Sequence, residues 1–421
     1  MKGKLSKGYW SELVKRTTKN VLLIDLCGHR KYLKTTIFGL TGQQPHYAVV
    51  LVGSNMGVPK MTKEHIGIAC ALKIPIIVVV TKVDICPPKI FKQTMAKLKK
   101  ILRAANKTPY IVGKMEKVKK AIELTKTSTT TCPVFITSNV TGRGITELRE
   151  FIGALDQPRI DREISLSPPT VGGSTDEKAK AVAATGGDDG AISSLGDEGR
   201  TVVQIDSVFN VSGVGLVVSG IVRHGSVKIN QQLLLGPDKV GVYKRILVRG
   251  IHVNRCAVTS VSVGKSSSFA IRAIARKQTI ARNNVRKGMV LLDERYDESR
   301  RTTSEFDAEI LILHHQTTCG EGYSPVLHLG TVRQAAKILS VEKISTTACA
   351  AKRSKKKKGA TGEDAAAEEE EAKDDGKLRT GDRAIVRFKF LYHPEFIHEG
   401  DPMLFREGFA KGIGKVLRRV K

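Results

Sequence analysis

Between residues 20 and about 155, apolar runs alternate with amphipathic runs along the chain. Four of the apolar runs, NVLLID, YAVVLVG, IPIIVVV and CPVFITS, are short and rich in β-branched residues, which predicts buried strands. Between them, KIFKQTMAKLKKILRAA places Phe91, Met95, Leu98 and Leu102 on one face of a helix. Strands that alternate with helices in this way indicate an α/β domain with a parallel sheet.

After residue 200 the helical period gives way to a simple alternation of apolar and polar positions, as in GLVVSGIV, SSSFAIRAI and DRAIVRFKFL. Many short strands separated by glycine-rich turns are typical of β-barrels or sandwiches, and a break near residues 291–306 divides them into two groups. We therefore predict four segments: an α/β domain at 1–158, a flexible linker at 159–199, and β-barrel domains at 200–297 and 303–421. The last contains a low-complexity insertion at 348–377, in which a basic block precedes an acidic one.

Composition narrows the range of partners. The chain has 421 residues, and its 70 lysines and arginines against 41 acids give a net charge of +29, which favours polyanionic partners. None of the seven cysteines forms a C-x-x-C pair, so the sequence indicates neither a disulfide framework nor a zinc site, and a reducing compartment is expected. No uninterrupted apolar run approaches the roughly 20 residues that span a bilayer. We expect no membrane partner.

The tetrapeptide Thr81-Lys82-Val83-Asp84 follows the run IPIIVVV and has the form [N/T]-K-x-D. A carboxylate at Asp84 can accept hydrogen bonds from both the N1–H and the exocyclic amine of guanine, whereas adenine presents no such pair of donors. The motif alone is weak evidence, because an aspartate that caps the next helix would explain it equally well.

Two further strand-end motifs flank it. Asp25-Leu26-Cys27-Gly28 ends the run NVLLID, in the form D-x-x-G that senses a γ-phosphate, and Ser138-Asn139-Val140 ends CPVFITS in a polar turn whose amides can meet the guanine O6. Three such motifs in this order indicate a guanine-nucleotide-binding domain.

With these motifs in place, the stretch from DLCGHRKYLKTTIFGLTG to TKVD resembles the G domain of translational GTPases, the family of elongation factor Tu and elongation factor 1 alpha. YLKTTIFGLTG, VGSNMGVPKMTKEH and TSNVTG are most similar to the subgroup of GTP-binding protein 1 and GTP-binding protein 2. The alternating regions resemble the second and third domains of that family. The implied fold is an N-terminally incomplete α/β G domain followed by two β-barrel domains.

The resemblance also implies roles for single residues. Asp25 would reach Mg²⁺ through a water, the Gly28 amide would sense the γ-phosphate, and His29 would position the hydrolytic water. The base would be read by Thr81, Lys82 and Asp84 together with Ser138, Asn139 and Val140. A histidine at such a junction is otherwise an ordinary capping or surface residue.

The implied activity is translational: GTP hydrolysis to GDP, with Mg²⁺ and GTP/GDP as cofactors. The implied partners are the ribosome, aminoacyl-tRNA and RNA, for a cytoplasmic monomer. A competing interpretation is a non-catalytic module that binds RNA or ribosomes and carries a degenerate G domain.

A phosphate-cradling loop of the form G-x-x-x-x-G-K-[ST] is missing from residues 1–20. Gly264-Lys265-Ser266 is a decoy, since Thr259 stands where the motif needs its first glycine. Two interpretations stay open: an N-terminally incomplete version of a full GTPase, which we favour because the other motifs survive, or a genuinely degenerate domain. In either case we predict weak or no nucleotide binding by these residues.

Other candidate features have less specific interpretations. His314, His315 and His328 are expected to be barrel-rim histidines and not metal ligands. The basic C-terminal strand is expected to be a solvated edge, with RNA-backbone contact as the alternative; its cations are Lys411, Lys415, Arg418, Arg419 and Lys421.

Overall fold

The computed structural model describes most of the chain in seven segments, residues 9–156, 200–275, 280–298, 301–314, 318–344, 377–407 and 410–420. The predicted linker at 159–199 lies outside the described residues, as does the predicted insertion up to residue 376. Their assignment stays a prediction.

The α/β domain is built on a parallel four-stranded sheet in the order β1-β2-β4-β3. Its strands are β1 Ala48–Gly53, β2 Ile76–Thr81, β3 Thr108–Val112 and β4 Thr131–Ile136. β2 and β4 are the central strands, and the side chains of Val78 and Val80 on β2 are fully buried. Such β-branched residues suit a strand that is buried on both faces.

Six α-helices belong to this part of the chain: α1 Tyr9–Arg16, α2 Leu33–Gly42, α3 Lys60–Ala71, α4 Pro88–Ala104, α5 Met115–Thr127 and α6 Ile145–Ala154. α3 and α4 pack with Val78 and Val80 on one face of the sheet, through residues that include Ile66 and Leu98. α5 and α6 pack on the other face, where Phe151 lies 5.0 Å from the ring of Phe135. The helix predicted from its apolar stripe is thus confirmed as α4.

One predicted strand is wrong. Residues 20–25, the run NVLLID, form no strand, and the side chains of Val21, Leu22 and Leu23 are 52%, 65% and 81% exposed. An apolar, β-branched run becomes a strand only when a neighbouring strand pairs with its N–H and C=O groups. In the described part of the chain no strand pairs with this run, and β1 is an edge strand on which Val49 and Leu51 are exposed.

The alternating regions form two six-stranded barrels. In barrel II the strands β9-β12-β6-β5-β13-β8 close through β8 and β9; in barrel III the order is β14-β17-β16-β15-β18-β19. The barrel II strands are β5 Val202–Val211, β6 Gly215–His224, β7 Ser226–Lys228, β8 Gln232–Gly236, β9 Lys244–Val253, β10 Cys256–Val258, β11 Ser260–Ser262, β12 Ser266–Ala273 and β13 Val290–Leu292. Those of barrel III are β14 Glu305–His314, β15 Val326–Leu329, β16 Val332–Lys343, β17 Arg383–Phe390, β18 Pro402–Glu407 and β19 Ala410–Arg419. The predicted fold class, an α/β domain followed by two β-barrels, is confirmed.

Helix α2 is seated against the outside of barrel III. On β18, Met403 and Phe405 point into the barrel, whereas Leu404 packs in the same apolar cluster as Leu33 and Ile37 of α2. Because successive side chains of a strand point to opposite faces, β18 can fill the barrel interior and contact α2 at the same time. The segment that follows His29 is therefore anchored at a seam between the α/β domain and barrel III.

His328, predicted at a barrel rim, lies instead at this seam. It is 2% exposed, and β15 is buried on both faces. Burial, aided by the nearby cations Arg333, Arg406 and Lys34, lowers the pKa of His328 to about 4, so its ring is neutral at pH 7. The side chains of His314 and His315 lie outside the described residues.

The basic C-terminal strand is not an edge. β19 is hydrogen bonded on both sides, to β14 and to β18, because the barrel closes. Two of its cations face acids of β14: Arg418 donates to Asp307 at 2.7 Å, and Lys415 lies opposite Glu309 in the register. Arg419 pairs with Glu399, and Lys421 lies outside the described residues. Arg387 and Arg418 hold the pKa of Asp307 below its usual value.

Candidate functional site

Two of the predicted base-reading loops leave neighbouring strands at the same edge of the sheet. Thr81 is the last residue of β2, and the register pairs Val80 with Ile136, the last residue of β4. Just beyond the strands, the Thr137 amide donates to the Val80 carbonyl at 2.8 Å. The segments Thr81–Asp84 and Ser138–Val140 are therefore neighbours, although they are more than fifty residues apart in the chain.

The first loop is held from β1. Lys82 has a left-handed backbone, with φ of +59°, and its carbonyl accepts a hydrogen bond from the Ser54 hydroxyl at 2.9 Å. The Ser54 amide donates to the Thr81 carbonyl at 3.0 Å, and the Ser54 side chain is fully buried. A non-glycine residue keeps such a backbone only where its surroundings fix it. The conformation of this loop is thus set by the sheet itself.

Asp84 lies exposed in the turn that follows. The alternative that it caps α4 is wrong, because the residue at the N-cap is Pro87 and no side chain caps the helix there. Its carboxylate is left available to a ligand at the edge of the sheet.

The second loop is a tight turn whose backbone closes on itself. Ser138 is fully buried; its amide donates to the Arg143 carbonyl at 3.0 Å, and its hydroxyl accepts from the Thr141 amide at 3.2 Å. Gly144 has φ of +70°, and a Cβ there would lie 2.1 Å from the Ile136 carbonyl oxygen. Only glycine fits that position. Asn139 and Val140 are exposed at the tip of the turn.

The third predicted group is arranged differently. Asp25, Gly28 and His29 are exposed and belong to no strand. His29 precedes a short 3-10 helix, Arg30–Tyr32, and its Nδ1 accepts a hydrogen bond from the Lys31 amide at 3.2 Å. In this structure His29 is a capping residue. A hydrogen bond ties this segment to α2: the Thr36 hydroxyl donates to the Cys27 carbonyl at 2.6 Å.

The residues present fit a guanine base better than they fit a triphosphate with Mg²⁺. Asp84 offers a carboxylate with two acceptor oxygens, and the turn at Ser138–Val140 follows the neighbouring strand, β4. Within the described segments, no cluster of three or more histidine, cysteine, aspartate or glutamate side chains is arranged to hold a metal ion. Asp25 and Gly28 stand in a segment that no strand fixes. We therefore derive no hydrolytic step from this geometry.

Sequence reasoning missed the residues that support the loops. Ser54 and Thr137 lie outside the predicted base-reading residues, yet they fix Lys82 and the end of β4 through hydrogen bonds. The signal for Ser54 was its place directly after the apolar run YAVVLVG, which predicts the carboxyl end of a strand. The paired glycines of TGRG were the signal for the second turn.

Comparisons with known proteins agree with this arrangement. The family model of the elongation factor Tu GTP binding domain matches residues 10–157. GTP-binding protein 1 of Xenopus laevis is 35% identical over 411 residues, which are 97% of this chain and 51% of that protein. GTP-binding protein 2 of Mus musculus is 33% identical over 407 residues, 96% of this chain and 56% of that protein. The chain therefore spans about half the length of these relatives.

A solved structure shares the fold. Translation elongation factor SelB from Methanococcus maripaludis, in complex with the GTP analogue GppNHp, superposes with a TM-score of 0.61 at 17% identity. The match covers 99% of this chain and 77% of that one. No α-helix of the described segments has the length and apolar character needed to cross a bilayer.

Proposed function

The chain belongs to the translational GTPase superfamily, in the subgroup of GTP-binding protein 1 and GTP-binding protein 2, and from this membership we propose that it is part of a GTPase that acts with the ribosome and aminoacyl-tRNA. Members of this family bind guanine nucleotides and hydrolyse GTP. The proposed role is in elongation or surveillance, by a monomeric protein in the cytoplasm.

The observation that carries the proposal is the adjacency of two base-reading loops at the carboxyl ends of β2 and β4. In a parallel sheet, ligands bind at this edge. In our proposal the Asp84 carboxylate accepts from the guanine N1–H and amine, while Thr81 and the stem of Lys82 lie along the base. The turn at Ser138, Asn139 and Val140 approaches the guanine O6.

The second part of the proposal concerns the phosphates. By family resemblance, Asp25 would hold Mg²⁺ through a water, the Gly28 amide would contact the γ-phosphate, and His29 would position the attacking water. When bound, Mg²⁺ would neutralise charge on the phosphates. His29 would have to leave its capping hydrogen bond to Lys31 to take this role.

Because these three residues are exposed and held by no strand, we expect the 421 residues by themselves to bind nucleotide weakly. The same observation favours the second candidate, a non-catalytic module that docks on RNA or ribosomes. Nucleotide binding by a version that begins further upstream in the reading frame distinguishes the two candidates. The GTPase requires that this longer version bind nucleotide, whereas the non-catalytic module does not.

The test compares binding of GTP and XTP by the parent and by the variant Asp84→Asn. Asp84→Asn replaces an acceptor with a donor, so that guanine, with its amine, loses a partner and xanthine, with a carbonyl at the same position, gains one. We expect the preference of both the chain and the longer version to shift from GTP towards XTP by at least about tenfold. Asp25→Asn is the matched control, because the same chemical change away from the base should leave the GTP-to-XTP preference unchanged. A variant of Asp84 that keeps guanine preference would contradict the assignment.

A further inference from the structure

Between Asp84 and Glu116 the chain contains no acidic residue. The same stretch contains eight cations: Lys89, Lys92, Lys97, Lys99, Lys100, Arg103, Lys107 and Lys114. Six of them belong to α4, which is therefore a helix with cations and no anions. Such an imbalance produces a strong local positive potential.

Helix geometry gathers four of these cations into one stripe. α4 buries Thr94, Met95, Leu98 and Leu102 against the sheet. At about 100° per residue, Lys89, Lys92, Lys100 and Arg103 fall within about 80° of the helix circumference, on the side opposite the buried face. All four are exposed. We call these four residues the α4 stripe; it extends about 21 Å along the helix, from a rise of about 1.5 Å per residue.

The charge of the α4 stripe is not compensated. Among the described residues, no carboxylate oxygen forms an ion pair with any of its four cations. The cations of barrel III behave differently: Arg387 and Arg418 each contact Asp307 at 2.7 Å. The lysines of α5 share their helix with Glu116 and Glu123. The α4 stripe is thus a basic surface whose four cations have no carboxylate partner among the described residues, which leaves them available to an external anion.

The neighbouring side chains indicate which anion. The stripe is interrupted only by small or polar residues such as Gln93 and Ala96, and the apolar face of α4 is already buried against the sheet. A helix that lies in a membrane surface needs a free apolar face to insert. The exposed large apolar side chain of α4 is Ile90, at 38%, and a single side chain does not make such a face. Lysine-rich surfaces without exposed aromatic rings contact nucleic-acid phosphates and do not read bases.

We propose that the α4 stripe binds the phosphate backbone of RNA without regard to sequence. The assignment rests on the proposed function only for the choice of RNA over other polyanions. α4 begins four residues after Asp84, so RNA bound along it lies next to the loop that reads the base. The partner surface is then continuous with the nucleotide edge of the α/β domain and distinct from the two barrels.

The test is the salt dependence of binding to a labelled RNA duplex of about 20 base pairs and mixed sequence, which is long enough to cover the stripe. Each phosphate that a cation neutralises adds about 0.7 to 0.9 to the slope of log K against log salt. The triple variant K89Q/K92Q/K100Q should therefore reduce that slope by about 2 to 3, and weaken binding by about 100- to 500-fold near 0.1 M salt.

The matched control is K239Q/K265Q/K337Q, which removes the same net charge at exposed positions of the two barrels. It should leave the slope within about one unit of the parent. Equal losses in the two triple variants would mean that net charge alone attracts RNA, and would overturn the assignment. Because all six substituted side chains are exposed, both variants should unfold at the urea concentration of the parent.

Two readouts separate this proposal from the proposed function. The α4 variant should bind guanine nucleotides as the parent does, whereas Asp84→Asn should alter base preference and leave RNA binding unchanged. Vesicles of phosphatidylserine test the membrane alternative. Binding to vesicles that is as tight as binding to RNA, and that is lost in K89Q/K92Q/K100Q, would overturn the choice of RNA.

Discussion

The two proposed base-reading loops and the Asp25–His29 segment differ in what supports them. Thr81–Asp84 and Ser138–Val140 leave β2 and β4, the two central strands, each of which is hydrogen bonded on both sides. Asp25–His29 follows an apolar run that pairs with no strand in the described part of the chain. Asp25, Gly28 and His29 are exposed, and Leu26 is partly buried against the apolar cluster that contains α2. A motif at a strand end is positioned only as well as the strand is.

The Asp25–His29 segment is supported from its carboxyl end. After His29 the chain enters α2, which packs against barrel III through Leu33, Ile37 and Leu404. The base loops thus depend on the sheet, whereas the Asp25–His29 segment depends on the seam between the α/β domain and barrel III. Substitutions in the sheet and substitutions at the seam should therefore have separable effects.

The largest effect is expected at Gly144. A Cβ there would lie 2.1 Å from the Ile136 carbonyl, at a φ of +70°. Gly144→Ala should lower the free energy of unfolding of the α/β domain by about 3 kcal/mol. Urea unfolding followed by α-helical circular dichroism reports the unfolding of this domain, because the described α-helices all lie between residues 9 and 154.

Gly142→Ala is the matched control. Gly142 has nearly the same φ, +75°, but open space around its Cβ position. It should cost only about 1 kcal/mol, the penalty of the backbone conformation alone. Equal losses at the two glycines would mean that the Ile136 carbonyl does not constrain the turn.

The next effect is a pH dependence at the seam. The pKa of His328 is about 4 in the folded protein; the ordinary value is about 6.5. As the pH falls, the unfolded chain therefore binds a proton before the folded protein does. The contribution to stability is full above about pH 7 and is lost between about pH 6.5 and 4, and about 2 kcal/mol is lost by pH 5.

His328→Leu should remove this part of the pH dependence. Unfolding by urea at several pH values between 7 and 5 measures it, and His252→Leu, which removes an exposed histidine of barrel II, is the control. Parallel pH profiles for the parent and His328→Leu would contradict the burial of a neutral ring at the seam.

A smaller effect is expected from Ser54→Ala. It removes the hydrogen bond from the Ser54 hydroxyl to the Lys82 carbonyl, at a cost of about 1 kcal/mol. Since that bond fixes the left-handed backbone of Lys82, guanine affinity should fall as well, by about threefold to tenfold. Ser128→Ala, at a helix end away from the edge of the sheet, is the comparison. Unchanged nucleotide binding in Ser54→Ala would show that the first loop needs no support from β1.

The smallest effects are expected in the Asp25–His29 segment. In the 421-residue chain, Asp25→Asn and His29→Ala should change nucleotide affinity by less than about twofold, because exposed side chains without contacts to the site contribute little. Isothermal titration with GTP measures it. A loss as large as that of Asp84→Asn would mean that the segment already contacts the nucleotide.

Sequence patterns predicted the fold class because the two hydrophobic periods, helical before residue 156 and alternating after 200, differ sharply. They also predicted that Thr81–Asp84 and Ser138–Val140 each follow a strand, as they do after β2 and β4. They were wrong for residues 20–25, because an apolar run specifies a strand only together with a partner, and pairing is not a local property. His328 and β19 were misjudged for the same reason: barrel closure and domain packing bury residues that a strand pattern leaves at a rim or an edge.

The sequence could not predict the residues that support the two loops, for a related reason. Ser54 acts through a backbone carbonyl 28 residues away, and nothing in its neighbourhood indicates that bond. The unbalanced charge of α4 was visible in the sequence, but only the structure shows that Arg387 and Arg418 of barrel III are paired with Asp307, whereas the α4 stripe has no such partner among the described residues.

The most direct measurement is the binding of GTP, GDP and ATP to the 421-residue chain, with and without Mg²⁺. A base reader without a positioned phosphate reader should bind GTP and GDP within about twofold of each other, weakly, with Kd of about 0.1 mM or above, and independently of Mg²⁺. ATP should bind more weakly still. Binding of GTP at about 1 μM or below, with a preference over GDP that needs Mg²⁺ and Asp25, would contradict the account.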